Sequence, residues 1–194
     1  ARLAQGLGRL PGTRTEVQAA RQLTGAAPDA VLMGADFTAA KLRQARLGQY
    51  RILHLATHAL LAGELNCLPE PTVLLSAPAN AADANAAFMR ASEVLNIQMD
   101  ADLVILSACN TGGAGGAGGE ALSGLARACF YAGARGLLIT HWAVDDGAAA
   151  LTVADTIRRQ QGGISSAAAL RGAQLLLLDE AGGRLPANFA HPYY

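Results

Sequence analysis

At 194 residues the chain is long enough for one well-buried core and too short for two ordinary domains. Its formal net charge is +0 and no run of like charges stands out, so nothing marks it as an electrostatic binder of nucleic acid or of a membrane surface. Hydrophobic residues make up 52% and aromatic residues only 5%, with Ala and Gly filling much of the difference; that mix suits helices packed closely on a sheet and excludes a disordered chain.

Thr13 followed by Glu16 is a capping-box pattern, predicting a helix from there to a stop at Gly25. Val31 to Met33 reads as a short strand, and Thr38 caps a helix through about Leu47. Arg51 to Thr57, RILHLAT, reads as a buried strand, and Thr72 to Ser76, TVLLS, as another. An Ala/Asn-rich loop and a short helix capped by Ser92 lead to Asp102 to Ser107, DLVILS, the strongest strand pattern in the chain. After the glycine-rich stretch Thr111 to Gly119 comes a helix with Leu122, Leu125, Ala126, Cys129 and Phe130 on its apolar face, stopped by Gly133. Gly136 to Thr140 is a further strand, and helices follow from about Asp146 to Gln160 and from Ser165 to Asp179.

Apolar strands alternating with helices predict an α/β fold with a mostly parallel sheet covered on both faces. Ligands of such sheets sit beyond the carboxyl ends of the strands. Two reactive side chains fall at such ends: His58 after RILHLAT and Cys109 after DLVILSA. A thiol beside an imidazole, with backbone donors for an oxyanion, is the equipment of a cysteine peptidase. Caspases carry their histidine about 50 residues before the cysteine. Here the interval from 58 to 109 is 51.

The blocks LPGT at Leu10 to Thr13, HLATHA at His54 to Ala59, LVILSACNTG at Leu103 to Gly112, GGEALSGLARACFYAGAR at Gly118 to Arg135, HWAVDD at His141 to Asp146 and the terminal HPYY together resemble the CHAT domain family, over nearly the whole chain and in the expected order. These are caspase-like domains often found behind tetratricopeptide repeats. The resemblance implies the three-layer caspase–haemoglobinase fold over residues 1–194 as a single catalytic region, and a Cys–His dyad acting on protein or peptide substrates. It assigns catalysis to His58 and Cys109, and the oxyanion hole to the backbone N–H groups of Cys109 and Ala59. The family usually has glycine where Ala59 stands; alanine keeps the N–H and fits only if the local φ is negative. The family also normally has a strand before LPGT and another after HPYY, so the region is expected to be a fragment lacking flanking strands.

The residue two before the nucleophile helps form the S1 pocket in caspase-like enzymes, and here it is Ser107, which brings no charge. Trp142, Asp145 and Asp146 are the other expected substrate contacts, although acids at the start of a helix also serve as caps. A small or uncharged S1 pocket follows unless one of the acids points inward. Cys129 is expected in the core, Cys67 in an exposed loop, and His54, His141 and His191 in structural places.

No cofactor or metal is expected: the glycine stretch lacks the Lys-Ser/Thr of a phosphate loop, and no D-x-D-x-D calcium loop appears. Three widely spaced cysteines with no CxxC pair point to a reducing, cytoplasmic setting. No basic-then-apolar leader and no apolar run of membrane-spanning length are present. Lys41 as the sole lysine fits the codon usage of a GC-rich bacterial genome. The rival reading is a catalytically idle module that keeps the caspase-like fold to bind protein partners; a nucleotide-dependent switch is the third.

Overall fold

The computed structural model describes residues 7–63, 68–78, 84–107, 118–140 and 144–190, which form helices and sheet strands in two compact units. One unit takes residues 1–9 and 32–142, the other 10–31 and 143–194.

The first unit is built on a parallel sheet of β1 (Ile52–Ala56), β5 (Leu103–Ser107) and β6 (Leu137–Ile139), in the order β1-β5-β6. All five residues of β5 are buried, as a continuous apolar run in the middle of a parallel sheet must be. β1 has only Leu53 fully buried, because among the described strands it lies at the edge. Leu53, Val104 and Leu106 on one face pack with Leu125, Ala128 and Cys129 of helix α4 (Gly118–Tyr131) and with Val94 of the short helix α3 (Ala91–Val94). Leu103 and Ile105, on the opposite face by strand alternation, are 2% and 0% exposed.

The strand expected at TVLLS forms as β3 (Thr72–Leu74), but it does not join the parallel sheet. It pairs antiparallel with β2 (Ala59–Leu60) and β4 (Phe88–Arg90) in a second, three-stranded sheet. A parallel neighbour needs a crossover of a dozen or more residues, usually helical. The connections on either side of β3 carry no α-helix among the described residues.

Other expectations are corrected by local chemistry. Val31 to Met33 forms no strand and lies between single 3₁₀ turns at Pro28–Ala30 and Gly34–Asp36. Thr38 does cap α2 (Ala39–Gln44), accepting from the Lys41 N–H at 3.3 Å. Ser92 does not cap α3: it sits inside the first turn, and its N–H and hydroxyl both donate to the Glu70 carboxylate at 2.8 Å. Phe130 is 50% exposed, because the buried stripe of α4 runs through Leu125, Ala128 and Cys129. The stop at Gly133 is required twice over. Its φ is +109, and a Cβ there would lie 1.9 Å from the Met99 carbonyl oxygen. Gly133 and Ala134 donate back to Phe130 and Cys129, closing the helix in a Schellman motif.

The second unit is helical. α1 (Gly12–Thr24) and α6 (Ser166–Glu180) both pack on α5 (Asp146–Gln161). α1 ends at left-handed Gly25 as expected, but its start is not the capping box. Pro11 holds the cap position, the Thr13 hydroxyl donates to the Leu10 carbonyl at 2.7 Å, and Glu16 is buried at 1% exposure. The first-turn N–H of Gly12 donates instead to the Asp146 carboxylate. No helix among the described residues is long and apolar enough to cross a membrane.

Candidate functional site

β1 and β5 run side by side in strict register from Ile52 opposite Leu103 to Ala56 opposite Ser107. Both strands therefore end at the same edge of the sheet. Beyond Ala56 the Thr57 N–H donates to the Ser107 carbonyl at 3.2 Å, while the Thr57 hydroxyl donates to the Leu74 carbonyl at 2.7 Å. The Leu74 N–H then donates to the His58 carbonyl at 2.9 Å. Thr57 and His58 are thus where the chain leaves the parallel sheet and enters the antiparallel one.

The His58 ring is held in that crossing at 7% exposure. Its Nε2 lies 2.8 Å from the Gly8 carbonyl oxygen. A carbonyl can only accept, so Nε2 carries the proton and donates, and in the neutral ring Nδ1 holds the lone pair. Nδ1 is buried and has no hydrogen-bond partner among the described residues. Buried polar atoms are almost always satisfied, so an orphan of this kind asks for an explanation. A basic nitrogen fixed in one tautomer and left without a partner is what a general base requires before its acid arrives. Sequence reasoning missed Gly8 entirely, because a backbone carbonyl leaves no signature in the residue types.

Ala59 is 3% exposed in β2, opposite Val73. The Leu74–His58 bond makes the neighbouring 59–73 pair a non-hydrogen-bonded one, so the Ala59 N–H points away from β3. No described non-glycine residue has a positive φ, so alanine sits here without backbone strain. Ser107, the last residue of β5, is 7% exposed.

Both acids of the HWAVDD block serve helix starts. Asp145 caps α5, its carboxylate accepting from the N–H groups of Gly147 at 2.8 Å and Ala148 at 3.0 Å. Asp146 takes the Gly12 N–H, and a Cβ on Gly12 would collide with its carboxylate. Asp146 of the HWAVDD block therefore closes the start of α1 at Gly12 of the LPGT block. Cys109 and Trp142 lie outside the described residues, as do Cys67, His141, His191 and most of the glycine stretch.

Cys129 is the buried core cysteine expected, and burial pushes its thiol up to about 11, far from a reactive thiolate. His54 is half-buried in the middle of β1, opposite Ile105, in a strand and not on a helix. Among the described residues no three His, Cys, Asp or Glu side chains gather as metal ligands would.

The family model described as CHAT domain matches residues 3–194. No curated protein and no solved structure matches the chain.

Proposed function

The chain belongs to the CHAT domain family, and from that premise we propose that it is a caspase-like cysteine endopeptidase in which His58 and Cys109 hydrolyse peptide bonds of protein substrates. The observation that carries this reading is the register of β1 against β5. Ile52 pairs with Leu103, the same 51-residue offset that separates His58 from Cys109. Each functional residue stands two positions past a paired strand end, His58 past Ala56 and Cys109 past Ser107. Two residues of chain span at most about 7 Å, so this register supports the pairing of Cys109 with His58 in the proposal.

In the mechanism, His58 Nδ1 takes the Cys109 thiol proton, and the Gly8 carbonyl steadies the resulting imidazolium through Nε2–H. The thiolate attacks the scissile carbonyl, and the oxyanion is met by the Ala59 and Cys109 N–H groups. The Nδ1 proton then passes to the leaving amine as the C–N bond breaks. His58 next takes a proton from water, whose hydroxide attacks the thioester; the C–S bond breaks, the acid leaves, and the Nδ1 proton returns to the Cys109 sulfur. The wider expectation of a caspase–haemoglobinase fold rests on the family and on the parallel β1–β5–β6 core.

Ser107 brings no charge to the S1 pocket, and Asp145 and Asp146 are already committed to helix N-termini. The pocket is accordingly small or uncharged, with Trp142 as a wall. A panel of fluorogenic peptides varied at P1 tests this, and a strong preference for Arg would refute it. Tetratricopeptide repeats, which often accompany this domain family, are the proposed protein partners.

The burial of the His58 ring favours one rival, an idle caspase-like module that binds partners. Labelling by a peptidyl ketone, located by mass spectrometry, separates the two. Modification of Cys109 that disappears in His58→Ala supports the peptidase. An unlabelled Cys109 in a folded chain supports the idle module.

A further inference from the structure

His58 Nδ1 has a counterpart on the same small sheet. Arg90 Nε, at the end of β4, is also buried without a hydrogen-bond partner, and no ion pair is made by its guanidinium among the described residues. Strand pairing fixes where Arg90 stands. Leu60, Thr72 and Arg90 lie directly opposite one another across β2, β3 and β4. Leu74 and Phe88 form the next row of that face, with His58 at its end through the Leu74–His58 bond. Ala59, Val73 and Met89 make up the other face. Leu60, Leu74 and Phe88 cluster with Leu7, next to the Gly8 carbonyl that holds His58. One face of one sheet thus carries both orphaned nitrogens.

A guanidinium is always charged, and taking it partly out of water with a donor unsatisfied is unfavourable unless an anion completes it. Among the described residues five acids of this unit are already engaged, Glu93 also accepting from the Arg90 backbone N–H at 3.0 Å. Asp36 pairs with Lys41, Glu93 with Arg43, and Asp100 and Asp102 with Arg135, while Glu70 takes Ser92. Arg90 as a whole is partly exposed, although its Nε is buried.

We propose that Arg90 is a specificity residue that receives a carboxylate side chain of the bound peptide, at a subsite away from the scissile bond. This rests on the peptidase reading for its substrate but not for its chemistry. Strand spacing puts Arg90 about 10 Å across the sheet and about 7 Å along it from His58. An extended peptide covers that separation in about three to four residues. The preferred substrate therefore carries Asp or Glu three or four positions from the cleaved bond, beside an uncharged P1 residue.

The test measures binding, so it does not depend on turnover. Fluorescein-labelled peptide pools, with Glu or its isostere Gln fixed at one position at a time, are titrated by anisotropy into the whole chain carrying Cys109→Ala. Glu at one position should bind about tenfold tighter than Gln, as a charge-assisted bond does against a neutral one. That preference should fall within twofold in Arg90→Ala and be partly kept in Arg90→Lys, which retains charge but loses the planar fork. Thermal melts of each variant establish that it is folded. Equal affinity for Glu and Gln pools, no binding of either, or a preference that survives Arg90→Ala overturns the proposal. Ketone labelling of the parent chain reports on Cys109 separately, so an unreactive thiol with intact Glu selectivity would refute the peptidase and leave the acid site standing.

Discussion

The two units of this molecule hold their charged groups differently, although among the described residues each leaves a buried polar atom unpartnered, Gln160 Oε1 being the one in the helical unit. In the helical unit three acids are held by hydrogen bonds or ion pairs. Asp145 and Asp146 close helix N-termini, and Asp155, 8% exposed, lies between Arg158 and Arg159. In the sheet unit apolar burial does the holding, and the nitrogens of His58 and Arg90 are left unpartnered on one face. The difference teaches where to look for chemistry: satisfied polar groups mark structure, and orphaned ones mark what the fold leaves available for a ligand.

The largest effect should come from removing the orphaned base. His58→Ala should lower ketone labelling of Cys109 and peptide cleavage by at least about a thousandfold, with the melting temperature little changed. If the rate barely moves, the orphan is only structural and the contrast between the units collapses.

Next in size is the apolar hold of the sheet unit. Ile105 is fully buried in β5, so Ile105→Ala should cost about 3 kcal/mol, read from the shift of the denaturant midpoint at constant slope.

The helical unit should respond to charge instead. Burial pushes the Asp155 carboxyl up, but hydrogen bonds from Arg159 and Arg158 and their charges outweigh it, and the net shift is downward. A carboxyl lowered in the folded state contributes stability above its unfolded value of about 4, and loses it as pH falls through the lower folded value. Asp155→Asn should therefore cost about 2 kcal/mol at neutral pH, and its deficit against the parent should shrink below about pH 4. Unfolding curves at stepped pH check the sign; a deficit that grows on acidification would contradict it.

The smallest effect belongs to a single cap. Asp145→Ala should cost about 1 kcal/mol in the melt, and Asp145→Asn or Asp145→Ser less, because both keep a capping oxygen.

Legibility in the sequence followed the range of the interaction. Both helix stops, Gly25 and Gly133, were readable because a positive φ is a property of one residue and its immediate neighbours. Thr38 was readable as a cap for the same reason. Thr13 and Ser92 looked equally good, yet each hydroxyl bonds elsewhere, to Leu10 and to Glu70. A cap in sequence is only a candidate until competing partners are known. TVLLS announced a strand but not its direction, since the apolar run is alike in both sheet types.

By itself, the sequence determined the order of the main helices and of the parallel strands, the strand that forms the centre of the sheet, and the pair of residues most worth testing. Those follow from local periodicity and from motifs that survive as strings. Tertiary structure alone decided that β1 and β5 share a 51-residue register, that the Gly8 carbonyl fixes the His58 tautomer, and that Asp146 closes the start of α1. Each of these joins groups between 50 and 134 positions apart, and all three involve backbone atoms that every residue carries, so no residue type could have announced them.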